Sequence, residues 1–246
     1  MFDLDHSAAG IPVRADIVDT HRFIWEHVRA PGTWWTGAQR VDIAAETRQA
    51  VVCGLCRQRK ASLSVQGATG QHDGLGQLPA NVVDVIHRVR TDPARLSHQW
   101  FKSVIAGGLE EPAYVELIGV ATLVTGVDYF ARALGIPPFP LPTPLPGEPS
   151  RHVPAAAKRG TAWVAMVAPE DASGPEADLY GDGGFVPNIV RALSLVPEEA
   201  RALQRATASH YVAVEKIPDP TVRRSLDRMQ MELIAARVSA LNECFY

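Results

Sequence analysis

The sequence predicts an all-α protein, and three observations carry that prediction. Apolar residues recur at three-and-four spacing through most of the chain, and Pro or Gly bounds these runs. The β-hairpin signals are absent, which leaves one candidate short strand, "TAWVAMV" at 161–167. The 246 residues, 46% hydrophobic and 21% charged, are enough for one large or two small cores, and two are expected.

Each element has its own signature. "DIVDTHRFIWEHVRAPG" sets Ile17, His21, Ile24, Trp25 and Val28 on one stripe and stops at Pro31-Gly32. "LPANVVDVIHRVRTDP" places Val82, Val85, Ile86 and Val89 on another, with Pro at both ends. "GLEEPAYVELIGVATLVTGVDYFARALG" opens on acidic residues, runs through apolar and small ones, and stops at Gly135. Its apolar stretch from Val115 is short for a bilayer and carries Glu116, so it reads as a buried helix. In the second half "PNIVRALSL", "VPEEARALQRATASHYVAVE" and "DPTVRRSLDRMQMELIAARVSAL" continue the pattern. Between the halves, residues 136–154 carry eight prolines and form a linker or an extended, surface-hugging segment. A second loop runs over 168–184. The expected organisation is therefore residues 1–135, a proline-rich linker over 136–160, and residues 161–246.

A net charge of -3 and a pI of 6.2 argue against a polyanion partner, and "RQRK" at 57–60 is too short to be a nucleic-acid patch. The N-terminus lacks the pattern of a secretory signal, so a cytoplasmic protein with no membrane partner is expected. Its cysteines are Cys53, Cys56 and Cys244. In a reducing compartment a Cys-x-x-Cys pair is usually redox-active or metal-binding. A zinc site would want two further Cys or His at motif spacing, and none stands out.

Aligning Cys53 with Cys244 reveals an internal repeat. Gln39 then falls on Gln230, and Ile43-Ala44-Ala45 on Ile234-Ala235-Ala236, so two helices of one type each lead into a cysteine.

The stretch "RMQMELIAARVSALNECFY" resembles the signature of the carboxymuconolactone decarboxylase and alkylhydroperoxidase D-like superfamily: Glu, eleven residues, Cys, two residues, Cys, three residues, His. Glu232 stands twelve positions before Cys244, as that signature requires, and "VPNIVRALSLVPEEA" is similar to peroxidase-related members. The resemblance implies an all-α, alkylhydroperoxidase D-like fold in two tandem halves. The chain would break at Asn242 as an N-cap, with the cysteine pair in the first turn of the next helix, where amides and dipole favour thiolate. The second cysteine and the histidine would fall at positions 247 and 251. Some peroxidase-related members are similar in carrying selenocysteine, encoded by UGA, at that second position. The expectation is a chain halted at such a codon, with the residue at 247 reacting with peroxide, Cys244 resolving, and apolar surface left bare on the 220–241 helix.

In the first copy Lys60 stands at the histidine position and Val41 at the glutamate position, while Glu46 is a substitute base or, more simply, solvated helix surface. His72, His87, His98 and His210 lack a partner pattern, and His87 is the best of them as a proton relay to Cys53 and Cys56. The expected catalytic residues are thus Cys244, Glu232, Cys53 and Cys56, with no cofactor and no metal. The implied activity is reduction of a peroxide substrate by thiol or selenol chemistry, recycled by a lipoyl or thioredoxin-like dithiol in a homo-oligomer. A lactone decarboxylase and a non-catalytic helical subunit are the competing expectations.

Overall fold

The computed structural model describes residues 4–181, 186–242 and 244. Among them the chain is helical with no β-strand: α1 (Ala15–Arg29), α2 (Gly37–Gln49), α3 (Gly54–Ala61), α4 (Ala80–Thr91), α5 (His98–Ala106), α6 (Glu111–Ala133), α7 (Asn188–Arg191), α8 (Pro197–His210) and α9 (Arg228–Leu241), with short 3₁₀ turns between. The expected strand at 161–167 reduces to one isolated antiparallel bridge, Lys158 to Met166. With no second bridge beside it, the apolar residues there pack into the helical core instead.

α6 forms the centre and packs against α1, α2, α4 and α8. Leu117, Val120, Val124, Val127 and Ala131 are fully enclosed or nearly so. This helix is long and apolar enough to cross a membrane by length and composition, yet here those residues make a protein core. The α1 stripe of Ile17, His21, Ile24, Trp25 and Val28 is buried as its spacing predicts.

One ion network joins four of these helices. Arg40 on α2 lies fully buried between Glu116 on α6 and Glu199 on α8, and His27 on α1 reaches Glu199 at 2.8 Å. Glu116 also accepts the Thr33 and Trp34 amides at the α1–α2 turn. Burial tends to raise the Glu199 pKa, but the Arg40 and His27 charges overcome it and hold it at about 2. Glu116 moves the other way, because burial and repulsion from Glu199 outweigh its share of Arg40.

The proline-rich segment lies on the surface in extended form. Ile136 and Phe139 are buried, Trp25 donates its Nε1–H to Pro140 O at 2.7 Å, and Leu145 N–H donates to Arg29 O at 2.8 Å. Gly37 permits this approach, since a Cβ there would collide with the Arg29 and Leu145 carbonyl oxygens. Residues on both sides of the segment share one continuous core: Ile43, Ile86, Leu117, Leu195 and Ala202 all belong to it.

Two sequence expectations for the C-terminal region need correction. α9 begins at Arg228 rather than near Asp219, because Asp227 and Gln230 form a capping box that fixes its start. Asn242 is the C-cap of α9, not the N-cap of a following helix. Met231 alone is buried on α9, while Met229, Leu233, Ile234, Val238 and Leu241 are exposed.

Candidate functional site

The chemistry of the chain concentrates where α2, α3, α4 and the 62–79 loop meet. After α2 a 3₁₀ turn, Ala50–Val52, swings the backbone so that Cys53 becomes the N-cap of α3 and Cys56 falls in its first turn. The Cys53 side chain does not cap the helix. Asp73 does so from the loop: its carboxylate accepts the Gly54 N–H at 2.6 Å, while its own N–H points to Cys53 Sγ at 3.4 Å. Cys53, Leu55, Cys56 and Ala68 form a small apolar cluster apart from the main core.

Two histidines converge on the sulfurs. His72, from the loop, places Nδ1 3.6 Å from Cys53 Sγ and 3.5 Å from Cys56 Sγ. His87, on the buried face of α4, places Nδ1 3.2 Å from Cys56 Sγ. Each ring is gripped at its far nitrogen by a carboxylate, His72 Nε2 by Asp84 at 3.0 Å and His87 Nε2 by Glu46 at 2.7 Å. Asp84 and His87 are three residues apart on α4 and so share a face. The second Glu46 oxygen accepts the Leu75 N–H at 3.0 Å, which leaves that buried carboxylate satisfied on both sides.

The two histidines differ electrostatically. Burial works against a charge on His72, but its bonds to Asp84 and the two sulfurs prevail and raise its pKa to about 10. His87 is displaced downward, since burial outweighs the pull of Glu46. Burial would also raise the Cys53 thiol, yet the Asp73 and Cys56 amides and His72 bring it below the ordinary thiol value. The arrangement that results favours charge on His72 and on the Cys53 sulfur and disfavours it on His87.

Of the four residues expected to be catalytic, the structure brings Cys53 and Cys56 together and leaves Cys244 and Glu232 apart. Glu232 sits near the start of α9, bonded to Arg228 and Tyr211, while Cys244 is exposed beyond the helix end. Glu232 is paired and its pKa is lowered by those two bonds, Tyr211 foremost. Phe245 and Tyr246 lie outside the described residues.

Three other expectations are corrected here. Glu46 is buried and holds His87, where a solvated surface role was expected, because α2 presents it to α4 beneath the loop. His72 has partners after all, supplied by residues 12 to 19 positions away. A set of four that could hold a metal ion stands where none was singled out: Cys53, Cys56, His72 and His87 each offer a ligand atom, all within 4.8 Å of one another. His87 alone was legible, as the histidine on a buried stripe. His72 lies in an irregular loop segment, and spacing alone did not single it out.

An apolar cleft of about 370 Å³ beside Tyr114, Ile118 and Trp163 shares no residue with this cluster. A more polar cleft of about 310 Å³, lined by Arg88, Arg95 and Trp100 among others, borders the site, since Trp100 donates Nε1–H to Asp84 at 3.4 Å. No family model matches the chain, and no curated protein or solved structure is significantly similar to it.

Proposed function

We propose that the chain is a dithiol peroxidase whose working pair is Cys53 and Cys56. The observation that carries this reading is the line Cys56 Sγ, His87, Glu46, which gives a thiol a base and gives that base an orienting carboxylate. Cys53 is the attacking sulfur, as the Asp73 N–H and His72 both favour its thiolate. Its sulfur takes the terminal oxygen of a hydroperoxide, the O–O bond breaks, and the departing alkoxide takes a proton from His72. This yields an alcohol and a Cys53 sulfenic acid. Cys56, losing its proton to His87, then attacks the sulfenic sulfur, expels hydroxide that leaves as water, and closes a disulfide. A lipoyl or thioredoxin-like dithiol reduces that disulfide and is itself oxidised. A reducing cytoplasm and a homo-oligomer are the setting this reading assumes.

The resemblance of residues 228–246 to the alkylhydroperoxidase D-like signature supports the reading, as does the repeat. α2 and α9 start with matched capping boxes, Thr36 with Gln39 and Asp227 with Gln230, at the same offset that aligns Cys53 with Cys244. The test follows hydroperoxide consumption with dihydrolipoamide as reductant. Wild-type turnover is expected, together with loss of at least ~100-fold in Cys53→Ser and Cys56→Ser and a smaller loss in His87→Gln. Equal turnover in the Cys53→Ser, Cys56→Ser double variant would defeat the proposal.

A further inference from the structure

We propose that Cys53, Cys56, His72 and His87 form a tetrahedral zinc site. The argument starts from distances. A zinc ion bound by sulfur at ~2.3 Å and by nitrogen at ~2.0–2.1 Å sets neighbouring S and N ligands about 3.6 Å apart at the tetrahedral angle. Three of the four sulfur-to-Nδ1 separations are 3.6, 3.5 and 3.2 Å, and all four ligand atoms fall within 4.8 Å of one another.

The outer shell makes the same case independently. Imidazole ligands of zinc characteristically donate their second N–H to a carboxylate, which fixes the ring and turns the other nitrogen's lone pair toward the metal. Both histidines do so, through Asp84 and Glu46, and both aim Nδ1 at the sulfurs. The Asp73 N–H on Cys53 Sγ is the further bond a metal thiolate accepts. Two thiolates neutralise the dication, and the soft sulfur and imidazole set selects zinc over magnesium, calcium or manganese. Four protein ligands, three of them buried, leave no open position, so the ion would hold structure and not activate water. It would tie α3, the largely exposed 62–79 loop and α4 to one another. Thiolates engaged this way cannot also attack peroxide, so metal binding would hold the pair in an unreactive form. The site rests on ligand geometry and does not depend on the peroxidase reading.

The test uses the full chain, purified reduced and folded, with Zn²⁺ and Co²⁺ as probes. Zinc is expected at one per chain. Cobalt should give the visible bands of a tetrahedral ion together with thiolate-to-metal charge transfer. His72→Ala and His87→Ala should weaken zinc binding strongly. Glu46→Gln and Asp84→Asn, which leave every ligand in place, should weaken it ~10–100-fold. Cys244→Ser should bind as the wild type does. Because a ligand variant can misfold, helical circular dichroism accompanies each titration, and the cobalt spectrum of folded Cys56→Ser should lose part of its charge-transfer intensity. Folded, reduced protein that shows no tetrahedral cobalt spectrum would overturn the proposal. So would metal binding that Cys244→Ser abolishes while the two histidine variants retain it. Peroxide turnover is measured separately and bears on neither result.

Discussion

At the residue scale the strongest structural commitment is Arg40. It has no exposure, and its partners Glu116 and Glu199 lie 76 and 159 positions along the chain. Removing one member of a buried ion network leaves the others charged, enclosed and uncompensated, a loss of about 3–5 kcal/mol. Arg40→Met should therefore lower the unfolding free energy measured in urea by that amount, and a variant as stable as the wild type would show that the network is not load-sharing. Gly119 offers a second check, because a Cβ there would sit 2.8 Å from Glu199 Cβ and Cγ. Gly119→Ala should destabilise by about 1–3 kcal/mol through overpacking, as thermal unfolding can report. None of this was legible from the sequence. Glu116 was visible only as a charge that interrupts an apolar run, and its partner could not be read from a pairing that folding alone creates. The cluster at Cys53 has the same character. Its two cysteines share one helical turn and were plain, whereas the 15 residues from Cys56 to His72 and the 14 from there to His87 match no short metal motif.

At the scale of elements, periodicity located what packs and missed what does not. α1, α4 and α6 present buried stripes, and the sequence shows them with near-correct ends. α3 and α5, eight and nine residues long, are too short for a period to emerge. α2 was visible only through its repeat partner, as Arg40 and Glu46 are buried where polar residues ordinarily face water. The two capping boxes turn this contrast into a prediction. Thr36→Ala and Asp227→Ala each delete a side chain that accepts an N3 amide, at a local cost of ~1 kcal/mol. α2 is built into the core, whereas Met231, the buried residue of α9, does not belong to the main core cluster. Only Thr36→Ala should shift the global melting temperature, while Asp227→Ala should show as faster amide exchange confined to α9. Equal shifts in melting temperature would mean that α9 unfolds together with the core. The exposed residues of α9 follow the same logic: Met229→Lys with Leu233→Lys should change stability by less than ~0.5 kcal/mol per site.

At the scale of the whole molecule, stability should fall on mild acidification, and one cause is a buried line of histidines remote from the cysteines. His6 donates Nδ1–H to Leu4 O at 2.7 Å, its Nε2 meets His21 Nδ1 at 2.9 Å, and His21 Nε2 meets His210 Nε2 at 2.8 Å. One consistent set of neutral tautomers satisfies all three contacts, with each bridging proton counted once. Phe130 and Phe139 pack around these rings, and Arg14 and Asp16 are the nearest charges beside His210. Burial, then the neighbouring His210 and His6, push the His21 pKa down to about 3. His210 is also lowered, chiefly by burial. In the unfolded chain each returns to about 6.5, so below that pH the unfolded state binds protons that the folded state refuses. The histidines' contribution is complete above about pH 6.5 and is lost as pH falls toward 3, at about 1.4 kcal/mol per pH unit for each proton taken up. Glu199, held at about 2, adds a loss of the same sign, but only once pH enters the carboxylate range below about 4.5. Between roughly pH 4.5 and 6.5 His87, also lowered by burial, adds to the loss, while Glu116, raised by burial, opposes it. Urea midpoints measured across that interval should fall with pH in the wild type and fall less steeply in His21→Gln, whose amide keeps a bonding side chain but does not titrate. Midpoints that fall as steeply in His21→Gln as in the wild type would mean that His21 already carries a proton in the folded state, and the packing of a neutral His21 ring against Phe130 and Phe139 would then have to be abandoned.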